Sequence, residues 1–136
     1  MITGITHVTR YVPDYDQALE FYRDLLGMQV VSDNFMGQHA QRWLTVGGSA
    51  QSGVELVLQV PSDWMNGAPL EAAERTMTQQ PSILLSTNDI EGVLAKLKAS
   101  GAQLRSEEIG AMPWGRDLSF KDPFGNDIYL VQPHSA

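Results

Sequence analysis

The sequence predicts an α+β fold built from two tandem β-α-β-β-β modules. Three observations carry the prediction: an internal repeat that keeps its register, a capped amphipathic helix in each copy, and β-branched stretches bounded by turn residues after each helix. At an offset of 75 residues, His7-Val8 lies over Ser82-Ile83, Asp14 over Asp89, Leu19 over Leu94 and Tyr22 over Leu97. One deletion near the first helix end changes the offset to 74. Gly27 then falls on Gly101, Gln29 on Gln103, residues 42–46 on 116–120 and residues 54–57 on 128–131.

The elements follow in order. Residues 4–12 suit a strand. Asp14 caps the next helix, with Gln17 as the return partner of a capping box. Ala18, Phe21, Tyr22, Leu25 and Leu26 then recur at helical spacing, and Gly27 stands where a left-handed C-terminal cap belongs. Strands are expected at 28–33, 41–47 and 53–60, with Gly47-Gly48 opening the last hairpin. Residues 61–81 form a connector in which 70–79 are expected to be helical. The second copy opens with a strand at 82–87. Asn88 or Asp89 starts its helix, Ile90, Val93, Leu94 and Leu97 supply the apolar stripe, and Gly101 ends it. Strands at 102–107, 115–121 and 127–132 complete the copy, and Asp122-Pro123-Phe124-Gly125-Asn126 supplies turn chemistry at each position. The expected organisation is a single domain over 1–136, with modules at 1–60 and 82–132.

With 136 residues the chain suffices for one core. Hydrophobic residues at 43% and charged residues at 18% indicate a globular chain without a bilayer span. The start, Met1-Ile2-Thr3-Gly4-Ile5, runs directly into a strand pattern and lacks the features of a secretion signal, which predicts a cytoplasmic address. The absence of cysteine excludes disulfides, thiolate zinc sites and cysteine nucleophiles. A net charge of −7 repels a phosphate backbone, so nucleic acid is excluded as a partner. Neither a phosphate-binding glycine loop nor a Gly-x-Ser-x-Gly elbow occurs.

Several motifs together resemble the glyoxalase/bleomycin-resistance/extradiol-dioxygenase (vicinal oxygen chelate) superfamily over nearly the whole chain. They are Ile5-Thr6-His7-Val8, Asp16-Gln17-Ala18-Leu19-Glu20-Phe21-Tyr22, Leu26-Gly27-Met28, Arg42-Trp43-Leu44-Thr45-Val46 and the turn at 122–126. The resemblance implies curved mixed sheets that form open cups, paired across a homodimer. It also implies that metal-using members take ligands from the first and last strand of each module. Carried over, those positions are His7 and Glu55, then Ser82 and Tyr129. His7 and Glu55 suit a divalent ion such as nickel, zinc, manganese or iron, whereas Ser82 and neutral Tyr129 are poor ligands. A phenol with an ordinary pKa of about 10 is also a weak base where the lyases place a carboxylate.

The reading that follows is a metal-free or weakly metallated protein that holds a small, partly aromatic molecule in the cup. Its expected lining is His7, Glu55, Trp114, Arg116 and Tyr129. The rival is a metal-dependent lyase or dioxygenase in which His7 and Glu55 hold the ion and substrate oxygens complete its shell. Each residue also has a structural reading. His7 also reads as a hydrogen-bonded strand histidine, and Trp43, Trp64, Trp114 and Tyr129 as packing aromatics, the commoner fate of such residues. Arg42 and Arg116, at equivalent repeat positions, either grip an anionic group or lie on the outer sheet face. His39 and His134 are assigned no role.

Overall fold

The computed structural model describes residues 1–38, 41–48 and 53–134, so His39 lies outside the described residues. The chain divides into two compact units, Met1–Met77 and Thr78–Ala136.

The first unit contains β1 (His7–Tyr11), α1 (Tyr15–Leu19, continued by a π-helical turn at Glu20–Leu25), β2 (Gln29–Met36), β3 (Gln41–Gly47) and β4 (Glu55–Gln59). A 3₁₀ turn at Pro61–Asp63 and α2 (Gly67–Arg75) follow. The sheet order is β1-β4-β3-β2, with β1 parallel to β4 and the other pairs antiparallel. Asp14 caps α1 as expected, its carboxylate accepting from the Gln17 amide at 2.9 Å. The helix then widens, with the Leu26 amide bonding back five residues to the Phe21 carbonyl at 2.9 Å. Ala18, Phe21 and Tyr22 are buried, and so are Leu44, Val46, Leu56 and Leu58 on one face of β3 and β4. That face is the one toward α1.

The connector helix is displaced from its expected place at 70–79 to Gly67–Arg75. Pro69 accounts for the early start, because a residue without an N–H fits the first turn, where that donor has no intrahelical partner. The first strand is likewise shorter than 4–12.

The second unit contains β5 (Ile83–Ser86), α3 (Ile90–Ser100), β6 (Gly110–Met112), β7 (Gly115–Lys121) and β8 (Asp127–Pro133), in the order β5-β8-β7-β6. Again one pair, β5 with β8, is parallel. Asp89 caps α3 by accepting from the Gly92 amide at 3.1 Å, and Gly101 closes it in the left-handed conformation. Ile90 and Leu97 are buried, as are Leu118, Phe120, Ile128 and Leu130. In the β7–β8 turn, one Asp122 carboxylate oxygen accepts from the amides of both Phe124 and Asn126.

The expected strand at 102–107 is not continuous. Gln103 to Arg105 bond to the far end of β7, with Leu104 opposite Phe120, and the edge resumes only at β6. Between them lies Ser106-Glu107-Glu108, a polar run with nothing apolar to bury, and the ladder breaks there.

Candidate functional site

Alternation along β3 and β4 separates the two sheet faces of the first unit. Leu44, Val46, Leu56 and Leu58 point to α1, which leaves Trp43, Thr45, Glu55 and Val57 on the opposite face. The parallel pairing of β1 with β4 sets His7 directly opposite Glu55. Their side chains meet there, with His7 Nε2 3.5 Å from Glu55 Oε1. The buried Thr45 hydroxyl donates to the same Oε1 at 2.8 Å and accepts from the Ser32 amide at 3.1 Å. His7 Nδ1 lies 2.9 Å from the Thr6 hydroxyl. A ring that accepts from Thr6 on Nδ1 carries its proton on Nε2, facing Glu55.

Aromatic rings continue this face. Trp43 meets His7 edge-on at 5.4 Å, and Trp64 meets Trp43 at 6.3 Å. The Trp64 indole N–H donates to the Arg42 carbonyl at 3.2 Å, which fixes the ring's rotation. Glu55 also borders a groove of about 350 Å³, with Gln29, Val30 and Val54 among its neighbours.

The second unit holds a chain of three polar groups. The Trp114 indole N–H donates to Tyr129 Oη at 3.0 Å, and Tyr129 Oη donates to Asp117 Oδ2 at 2.7 Å. Asp117 is nearly buried, with 9% exposure. Accepting the phenol proton's hydrogen bond, its carboxylate raises the Tyr129 pKa above the ordinary tyrosine value. The hydroxyl is thereby held neutral and aimed. Gly110 makes room for this carboxylate, since a Cβ there would stand only 2.2 Å from Asp117 Oδ1.

The expected lining belongs to both units. His7 with Glu55, and Trp114 with Tyr129, are brought together within their respective units. Arg116 is not brought to Tyr129. It shares the phase of Leu118 and Phe120, on the α3 side of the sheet, and its guanidinium pairs with Glu91 of α3. Tyr129 stands opposite Ser119, in the other phase. Arg42 behaves as its repeat equivalent. It makes two bonds of 2.9 Å to Asp33 and lies over the rings of Tyr15 and Phe35 at 5.0 and 5.8 Å. Both arginines serve the helix side. The ladder also places Leu84, not Ser82, beside Tyr129, because β5 enters its sheet two residues later than the repeat offset implies.

The donor set does not fit the divalent ion that the resemblance implies. Among the described residues no three His, Cys, Asp or Glu side chains group to hold one. His7 and Glu55 supply two donors, and catalytic zinc sites generally use three from the protein. Residue-by-residue reading of the sequence missed Thr45 and Asp117. Their signal was parity: each is a polar residue inside a strand, Thr45 in phase with Trp43, and Asp117 in phase with Ser119, which stands across from Tyr129.

Comparison with known proteins gives three kinds of match. The family model described as Glyoxalase/Bleomycin resistance protein/Dioxygenase superfamily matches residues 4–130. The protein YetH of Bacillus subtilis (strain 168) is 33% identical over 133 residues, which cover 97% of this chain and 99% of YetH. Among solved structures, UcmS2 superposes with a TM-score of 0.78 at 26% identity, covering 96% of this chain and 98% of its own. TnmS3, an antibiotic binding protein from Streptomyces sp. CB03234, superposes with a TM-score of 0.72 at 30% identity, covering 98% of each chain.

Proposed function

The chain belongs to the glyoxalase/bleomycin resistance protein/dioxygenase superfamily, and from that premise we propose that it binds a small, partly aromatic molecule without a resident metal. One observation carries the reading: among the described residues the donor set stops at His7 and Glu55, with no third His, Cys, Asp or Glu side chain grouped beside them. Beside that pair stand Trp43 and Trp64, rings that suit a flat ligand. The 30% identity to an antibiotic-binding protein over 98% of the chain supports the same class of ligand.

In this reading, no bond is made or broken. Glu55 and His7 present a polar edge held by Thr45, and Trp43 offers an apolar surface beside it. Pre-set groups of this kind bind without a large ordering cost. The protein acts in the cytoplasm as a homodimer. Large apolar side chains left in solvent, such as Phe35 at 69% exposure, support a partner copy. None of the described helices is long and apolar enough to cross a membrane, and the net charge of −7 opposes nucleic acid.

Elemental analysis of protein purified without chelator, with titrations of nickel, zinc, manganese and iron, tests the metal-free half. Sub-stoichiometric metal is expected. A stoichiometric ion that is lost in His7→Ala would overturn the proposal in favour of a metal-dependent lyase or dioxygenase. Thermal-shift screening against flat aromatic compounds tests the other half, since a ligand confined to the folded state raises Tm. Trp43→Ala is expected to weaken any ligand found by about tenfold.

A further inference from the structure

The second unit contains a groove of about 490 Å³, within the range of small-molecule sites. It opens where the strand edge is interrupted. Gln103 to Arg105 add to the end of β7 through the Arg105 amide bonded to the Ser119 carbonyl and the Lys121 amide bonded to the Gln103 carbonyl. With Leu104 and Phe120 paired on the α3 side, Gln103, Arg105, Ser119 and Lys121 project from the opposite face. Ser82, Leu84 and Tyr129 border the groove as well.

The charges there are unequal in status. Lys121 is closed off by Asp127 at 2.9 Å, and it also bonds to the Gly125 carbonyl. Arg105 has no ion pair among the described residues, although it is a cation in a chain of net charge −7. Arg23, Arg42 and Arg116, by contrast, are each matched to a carboxylate. Beside Arg105 the hydroxyls of Ser82 and Ser119 and the Gln103 amide line the same groove, and Leu84, 71% exposed, supplies an apolar wall.

The geometry points to this groove as a binding site for a small organic monoanion, a carboxylate on an apolar or aromatic body. The Arg105 guanidinium takes the carboxylate in a two-pronged bond, the serine hydroxyls complete it, and Leu84 covers the body. The acidic surface of the protein argues against polyanions, so a single carboxylate fits better than a multiply charged phosphate. This site goes beyond the preceding proposal. It lies in the second unit and makes no use of His7 or Glu55.

Benzoate is the probe, with benzyl alcohol as its neutral counterpart and inorganic phosphate as a bare anion. NMR titration of the labelled full chain reads both affinity and place. Saturable benzoate shifts are expected at Ser82, Leu84, Arg105 and Ser119, with benzyl alcohol and phosphate both weaker. Arg105→Gln, an exposed change that leaves the fold intact, is expected to weaken benzoate by about tenfold or more, whereas His7→Ala leaves it unchanged. Equal binding of benzoate and benzyl alcohol, stronger binding of phosphate, undiminished binding in Arg105→Gln, or shifts centred on His7 and Glu55 would each overturn the inference. The His7→Ala arm separates failure here from failure of the first-unit site.

Discussion

Thr45 is buried, donates to Glu55 and accepts from the Ser32 amide, so one hydroxyl connects the carboxylate of the first-unit face to the β2–β3 ladder. Thr45→Val keeps the shape and removes both bonds. It is expected to cost about 1–3 kcal/mol in urea denaturation, because the amide loses its acceptor in a partly buried position. Tyr129→Phe strands the Asp117 carboxylate, and the Trp114 indole loses its acceptor. Its expected result is a changed near-ultraviolet signal from Trp114 with unchanged far-ultraviolet helix content. Tyr15 gives a pH dependence of definite sign. Burial first, and then its 2.7 Å bond to Asp63, raise its pKa from 10.0 to about 12. The unfolded chain thus ionises first, so the stability this group supplies is complete below pH 10 and is lost as the pH climbs toward about 12. Denaturation across that interval should show a steeper alkaline fall in the parent than in Tyr15→Phe.

At the scale of elements, close backbone approach decides which glycines matter. Gly115 opens β7 with φ +149°, and a Cβ there would meet the Gln132 carbonyl oxygen of β8 at 2.3 Å. The obstacle is backbone and cannot turn aside. Gly115→Ala is expected to cost at least about 2 kcal/mol and to loosen the β7–β8 ladder in amide exchange. Gly101 is the contrast: left-handed at φ +74°, but with open space around it. Gly101→Ala should cost about 1–2 kcal/mol, the conformational penalty alone. The cap at Asp14 was legible in the sequence and the second was narrowed to Asn88 or Asp89, because such caps act on amides three residues away; in the structure it is Asp89. The π-helical end of α1 and the split strand edge were not legible. Each depends on which distant groups are available to bond, and that is settled by the packed sheet.

For the whole molecule, the repeat was read correctly as two four-stranded mixed sheets, each with one parallel pair. The units are alike in topology but not in chemistry: one carries His7, Glu55 and two tryptophans, the other the Trp114–Tyr129–Asp117 chain and Arg105. If exposed apolar residues such as Phe35 meet a second copy, sedimentation equilibrium should give twice the chain mass, with dissociation on dilution. A single species at the chain mass would remove the homodimer from the proposal.

The sequence alone determined the module, its order of elements and the chemistry of the helix boundaries, because periodicity, capping and repeat offset are local properties that survive without coordinates. The meeting of His7 with Glu55, by contrast, came from the β1–β4 ladder. Only the tertiary structure decided that Arg116 turns to Glu91 on α3, that Leu84 rather than Ser82 stands beside Tyr129, and that Thr45 and Asp117 hold the polar groups in place. These depend on strand register and on which face meets the helix. A shift of one residue in phase exchanges the two faces, and sequence spacing does not fix that phase across separate strands.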